Sequence, residues 1–211
     1  MPRSLWDGGA KLQLLGMVAG LRQGQPDDFT TFLTAVIDKA AFKSHTTYIE
    51  GARSNHSCTI IAGGKYSDAQ GYFIEPTIIV TTDPKSTTMQ EEIFGPVLTV
   101  YVYDDSKPNY WADIMTLVDS TSPFALTGAI FANDRHALIQ GTEGLRHACG
   151  NLYLNDKCTG AVVGEQAFGG GRASGTNDKA GSPLNLLRWV NARTIKERTI
   201  PLSSIGYPSM Q

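Results

Sequence analysis

Glu91-Glu92-Ile93-Phe94-Gly95-Pro96-Val97-Leu98-Thr99-Val100-Tyr101-Val102 joins an acidic pair to a run of β-branched and aromatic residues. Residues 97–102 read as a β-strand too apolar to have a wet face, which predicts a strand inside a sheet covered on both sides. The loop before it then lies at a sheet edge or mouth. Two readings of that loop stay open on the residues alone. A carboxylate there can accept two hydroxyl hydrogen bonds from a sugar, with an aromatic two positions later laid on a flat ring. Alternatively, the Glu pair is solvated and Phe94 belongs to the core.

Working back toward the N-terminus, Ser4 is placed to cap a first helix whose stripe is Leu14, Val18 and Leu21. Gly8, Gly9, Gly16 and Gly20 weaken that helix, by roughly 1 kcal/mol each relative to Ala in its interior. Gln25-Pro26-Asp27-Asp28 breaks the pattern. A second helix over 38–52 carries Phe42, His45, Ile49 and Ala52 at helical spacing, with His45 read as a histidine packed at an interface. Residues 59–62 form a strand stopped by Gly63-Gly64, and 72–80 a strand broken by Pro76, together a hairpin with a polar tip.

Working forward, Trp111, Ile114, Met115 and Val118 mark a helix face, and 126–131 a strand. Asn133-Asp134 cap a helix carrying Leu138, Thr142 and Leu145, and 152–154 return to strand. Residues 160–181 are mostly Gly, Ala, Ser and Asn, too long for a connector and therefore a functional loop. Ser182-Pro183 reopens helix, followed by Leu184, Leu187 and Val190. Residues 194–200 alternate polar and apolar as an edge strand does, and an unpaired edge invites a partner chain. Strands interleaved with helices predict an α/β fold, a mainly parallel sheet with crossover helices.

The 211 residues are 41% hydrophobic and 18% charged, enough for one sizeable core. A net charge of -2 with scattered Lys and Arg leaves no footprint for nucleic acid or an anionic membrane. No apolar run is long enough to span a bilayer, and the first residues show no signal or transit peptide. Cys58, Cys149 and Cys158 cannot all pair within one chain and form no CxxC, which fits a reducing compartment and gives no metal site. Gly169-Gly170-Gly171-Arg172 lacks the pattern of a phosphate-binding loop.

The stretch Glu91-Glu92-Ile93-Phe94-Gly95-Pro96-Val97 resembles the signature loop of NAD(P)-dependent aldehyde dehydrogenases. A second match is narrower: Gly150-Asn151-Leu152-Tyr153-Leu154-Asn155-Asp156-Lys157, then Phe168-Gly169-Gly170, then Arg172-Ala173-Ser174-Gly175-Thr176-Asn177-Asp178-Lys179. It resembles the 1-pyrroline-5-carboxylate (glutamate semialdehyde) dehydrogenase branch, C-terminal part of the catalytic domain. The resemblance implies that Glu92 holds the nicotinamide ribose of NAD and Phe94 backs its ring. It implies that backbone N–H groups of Gly160 and Ala161 hold the substrate carboxylate and that Phe168 covers its aliphatic chain. It also implies that residues 1–193 are a partial catalytic domain and 194–211 an oligomerisation strand and tail.

The pattern is broken at three places. Ala161 stands where relatives carry Ser, losing one hydroxyl donor at about 1 kcal/mol. Cys158 replaces Ser, and Glu165-Gln166-Ala167-Phe168 replaces Gln-Gln-Pro-Phe, adding charge beside an anion site. The family nucleophile follows a Gly-Gln pair, and none of the three cysteines does, so no catalytic residue is assigned. By resemblance the nucleophile, the dinucleotide-binding domain and the catalytic Glu precede Met1. Two functions follow as expectations. One is a truncated dehydrogenase of proline catabolism, mitochondrial by resemblance though cytoplasmic placement stays open, inactive as an isolated chain. The other is a non-catalytic paralogue that pairs with a full-length dehydrogenase.

Overall fold

A computed structural model of the chain describes residues 1–158, 160–201, 203 and 205–210. The architecture is α/β. Helices α1 (Arg3–Leu5), α2 (Lys11–Ala19) and α3 (Lys39–Ser54) come first, and α4 (Thr87–Gln90), α5 (Tyr110–Thr121), α6 (Arg135–Gly144) and α7 (Pro183–Leu186) are interspersed among short strands. The strands are β1 (Cys58–Ala62), β2 (Tyr66–Ser67), β3 (Phe73–Ile74), β4 (Thr77–Thr81), β5 (Val97–Tyr101), β6 (Phe124–Ala125), β7 (Thr127–Ile130), β8 (Asn151–Leu154) and β9 (Gly171–Arg172).

The sheet order is mixed. β4 pairs β5 in parallel and β7 pairs β8 in parallel, the latter through the α6 crossover. β1–β4, β2–β3 and β6–β9 are antiparallel. The expected interior strand, β5, is an edge strand in the order β1-β4-β5, and Leu98 is 49% exposed. β4 holds the centre instead, with Thr77, Ile78, Ile79 and Thr81 buried. Among the described residues, the far edge of β5 is met near its end, where the Met1 ammonium donates to the Tyr101 carbonyl at 2.8 Å and Pro2 bridges Tyr103.

Helix α3 follows its sequence pattern closely. Asp38 caps it, its carboxylate accepting from the Ala41 N–H at 2.7 Å, and His45, Ile49 and Ala52 are buried. Phe42 reaches across to the β2–β3 hairpin, edge-on to Tyr66 at 5.8 Å and tilted against Tyr72 at 5.7 Å. At the hairpin's base Gly63 has φ +65° and sits over the Pro76 carbonyl, where a side chain has no room.

Several expectations are corrected. Ser4 does not cap the first helix: Pro2 is the cap residue, and the Ser4 N–H donates instead to the Asp105 carboxylate at 3.0 Å. That remote carboxylate satisfies a helix-start donor that a local cap would otherwise serve. The helix is also interrupted at Gly9, φ +124°. On α5 and α6, Val118 and Thr142 lie on the exposed side of their stripes. Helix α7 is a single turn continued by a 3-10 turn over Leu187–Trp189, and Leu184, Leu187 and Val190 are all exposed. Residues 194–200 form no strand and pair with none of the described strands. Positions 202, 204 and 211 of the expected tail lie outside the described residues.

Candidate functional site

The acidic loop leaves the end of α4 and turns into β5. Its two glutamates are not equivalent. Glu91 is engaged, its carboxylate accepting from the Tyr48 hydroxyl at 2.6 Å. Glu92 is exposed and makes no hydrogen bond among the described residues, so both carboxylate oxygens are open. Ile93 is half-buried, and its carbonyl accepts from Nε2–H of the buried His45 at 2.9 Å. Because a carbonyl can only accept, Nε2 carries a proton, while Nδ1 is buried with no partner among the described residues. Phe94 is 88% exposed and holds φ +57°, a left-handed conformation unusual for an aromatic. Thus Phe94 is not a core residue.

The glycine-rich segment is held by contacts that local sequence patterns do not reveal. Asn151 on β8 donates from Nδ2 to the Ala167 carbonyl at 3.1 Å and accepts from the Gly169 N–H at 3.2 Å, bracketing Phe168 on both sides. Phe168 and Ala180 exchange backbone hydrogen bonds at 2.9 and 2.8 Å. The Lys179 ammonium donates to the Gly150 carbonyl at 2.6 Å and the Gly169 carbonyl at 3.2 Å. Lys179→Met is therefore expected to cost about 2 kcal/mol, since it orphans two part-buried carbonyls. A fall in the urea midpoint with an unchanged slope checks it.

Gly160 has φ +81°, and among the described residues neither its N–H nor that of Ala161 donates a hydrogen bond. N–H groups without partners among the described residues can serve as donors to an anion. Glu165 is exposed, while the neighbouring Gln166 side chain accepts from the Val162 N–H at 2.8 Å and closes the loop tip.

A relay of hydrogen bonds joins the two segments. The Ser122 hydroxyl donates to the Gln90 carbonyl, at the base of the acidic loop, at 3.0 Å and accepts from the Phe124 N–H at 3.2 Å. Phe124 and Ala125 then pair with Arg172 and Gly171, and the Ala125 N–H donates to Ser174 Oγ at 3.0 Å. Arg172 completes the tie by pairing with Asp119 on α5.

The cysteines are free, Cys58 and Cys149 half-buried and Cys158 exposed. Burial pushes the Cys149 thiol up, against a weaker opposing pull from Lys179. That is the direction of a protonated structural thiol. Among the described residues no group of three or more His, Cys, Asp or Glu is placed to hold a metal, and no helix is long and apolar enough to cross a membrane.

The model of the aldehyde dehydrogenase family matches residues 10–195. The chain belongs to that family. It is 54% identical over 210 residues to the mitochondrial delta-1-pyrroline-5-carboxylate dehydrogenase of Dictyostelium discoideum, a match covering 100% of this chain and 37% of that relative. To the mitochondrial delta-1-pyrroline-5-carboxylate dehydrogenase of Homo sapiens it is 49% identical over 212 residues, with the same coverage of 100% and 37%.

Among solved structures, the delta-pyrroline-5-carboxylate dehydrogenase from Mycobacterium tuberculosis bound with NAD matches with a TM-score of 0.84 and 44% identity. That match covers 100% of this chain and 37% of the other. The chain thus spans little more than a third of the aldehyde dehydrogenases it resembles, and its α/β fold is the corresponding part of theirs. His45, Tyr48, Asn151 and Lys179 had no functional reading in the sequence, although Asn151 and Lys179 stand inside the quoted motif.

Proposed function

We propose that the chain is one wall of the cofactor and substrate sites of a 1-pyrroline-5-carboxylate dehydrogenase, the enzyme that oxidises glutamate semialdehyde to glutamate. The observation that carries the proposal is the outward-facing pair on the acidic loop: a carboxylate with no partner among the described residues and a bare aromatic ring two positions on. Free carboxylate oxygens suit the two hydroxyls of a ribose, and the ring offers a flat apolar face. These residues fit NAD, which supplies a hydride acceptor when bound. Glu92 would orient the ribose, and Phe94 would back the ring and keep water from that side.

On the substrate side, the N–H groups of Gly160 and Ala161 would hold the carboxylate, and Phe168, fixed by Asn151 and Lys179, would cover the aliphatic chain. Oxidising an aldehyde in this family requires a thiolate to attack the carbonyl carbon, loss of hydride from that adduct to NAD to leave a thioester, and water to release the acid from the thioester. We assign neither the thiolate nor the activation of water here. Cys149 has its thiol pushed up rather than down, and Cys58 and Cys158 have no His or Lys hydrogen-bonded to the sulfur among the described residues. The isolated chain is expected not to turn over, and a mitochondrial matrix setting goes with this reading.

The test is NAD binding to the chain by ligand-observed NMR. Saturable binding at about millimolar NAD is expected, weakened about tenfold by Glu92→Ala and by Phe94→Ala. Binding that is absent, or indifferent to both substitutions, contradicts the proposal.

A second reading is favoured by the C-terminal surface. Leu184, Leu187, Val190 and Ile195 are exposed, and Trp189 is 82% exposed. Bare apolar residues in series mark a surface meant to be covered. In this reading residues 194–211 pair with a second copy or with a full-length dehydrogenase, outside the 1–193 unit. Sedimentation is expected to show an oligomer, and a monomer at micromolar concentration would sink this reading.

A further inference from the structure

We propose that Tyr48 and His45 are positioning residues that set which members of the acidic loop face outward. The inference rests on the cofactor reading of Glu92 and Phe94 and supplies what that reading lacks, a reason why one glutamate of the pair serves and the other does not. Tyr48 and His45 stand three residues apart on α3, so they present to the same side of the helix. The first takes the Glu91 carboxylate at 2.6 Å and the second takes the Ile93 carbonyl at 2.9 Å. Glu91 is extended, with φ -98° and ψ 145°. In extended chain successive side chains point to opposite sides. Holding Glu91 against α3 therefore turns Glu92 away from it.

Phe94 needs the same support. An aromatic at φ +57° persists only where its surroundings over-determine it. Here the carbonyl just before it is pinned to His45, and the residue just after it, Gly95, lies against the His45 ring. The turn is completed by the Val97 N–H donating to the Gly95 carbonyl at 2.7 Å. With both ends held, Phe94 projects outward.

The test uses the whole chain and two readouts. Backbone ¹⁵N relaxation reports the rigidity of residues 92–95, and NAD titration reports its use. In the wild type the order parameters are expected near about 0.85, falling toward about 0.6 in Tyr48→Phe and in Glu91→Ala. The double variant should fall no further than either single one, because the two substitutions remove one shared bond. His45→Ala should loosen the loop more, and His45→Gln, which keeps an N–H donor, should restore most of the loss. NAD affinity is expected to drop about fivefold in Tyr48→Phe, the loss of one hydrogen bond.

Unchanged order parameters in Tyr48→Phe and Glu91→Ala, or additive effects in the double variant, overturn the proposal. If the wild type fails to bind NAD while the loosening pattern holds, the cofactor reading falls and the clamp stands. If NAD binds equally to wild type and to a loosened Tyr48→Phe, the clamp does not position the cofactor contacts and the proposal falls.

Discussion

Gly150→Ala is expected to be among the most damaging single substitutions in the chain, costing more than about 3 kcal/mol. A Cβ there would stand 1.9 Å from the Gly169 carbonyl oxygen and 2.8 Å from the Gly170 Cα, both backbone atoms. Neither strand of the contact can retreat. The Gly150 N–H is bonded to the Ala125 and Leu126 carbonyls at 3.0 Å each, and Gly169 is held by Asn151 and Lys179. Gly170 is trapped in turn, its own missing Cβ 2.7 Å from the Ala125 carbonyl. Against a typical domain stability of about 5–15 kcal/mol, such a loss removes a large share of the fold. A urea transition collapsing toward zero denaturant is expected, and a midpoint equal to wild type would mean the glycine-rich segment does not pack as described.

Gly95→Ala is the second large effect, and it is confined to the acidic loop. The added methyl would lie 2.3 Å from His45 Nε2 and 2.5 Å from Cδ2. The His45 side chain, 3% exposed, has no free volume to enter. Either the ring moves and its bond to Ile93 is lost, or the loop lifts off α3. The expected cost is about 2–3 kcal/mol, from an orphaned carbonyl and imidazole. Pairing the substitution with His45→Ala isolates the cause. In that background Gly95→Ala should add less than about 0.5 kcal/mol, because the atoms it strikes are gone. Full additivity would assign the damage elsewhere.

Those two glycines show where the sequence stops being legible. Read alone, a glycine suggests a turn or a positive φ. Gly95 and Gly150 have no positive φ and are required by close approach, to a ring in one case and a backbone in the other. Such demands depend on what packs there from far along the chain. Lys179 is similar, since nothing local distinguishes it from a surface lysine.

What is local was readable. Asp38 and the Phe42, His45, Ile49, Ala52 spacing define α3 almost to the residue, and Asp134 caps α6, accepting from the His136 N–H at 2.9 Å. The apolar run 97–102 identified a strand but could not tell centre from edge, which depends on partners rather than on the run itself. The same holds for 183–190 and 194–200. Their apolar residues predict a buried helix face and a paired edge, and in the single chain those residues are bare. A short helix without a face to bury is marginal, which accounts for the single turn of α7.

The candidate site was partly legible for the same reason. The sequence singled out Glu92 and Phe94, and both are exposed on the loop. The residues that place them, His45 and Tyr48, come from a helix more than forty positions earlier and carry no motif of their own.

The central claim is that this chain supplies a binding wall and not the covalent chemistry. It is tested most directly by incubating the chain with glutamate semialdehyde and NAD, then acid-quenching for intact-mass and peptide analysis alongside NADH absorbance. The account predicts an unmodified mass and no NADH release. A thioester on Cys58, Cys149 or Cys158, or sustained NADH production by the purified chain, would contradict it.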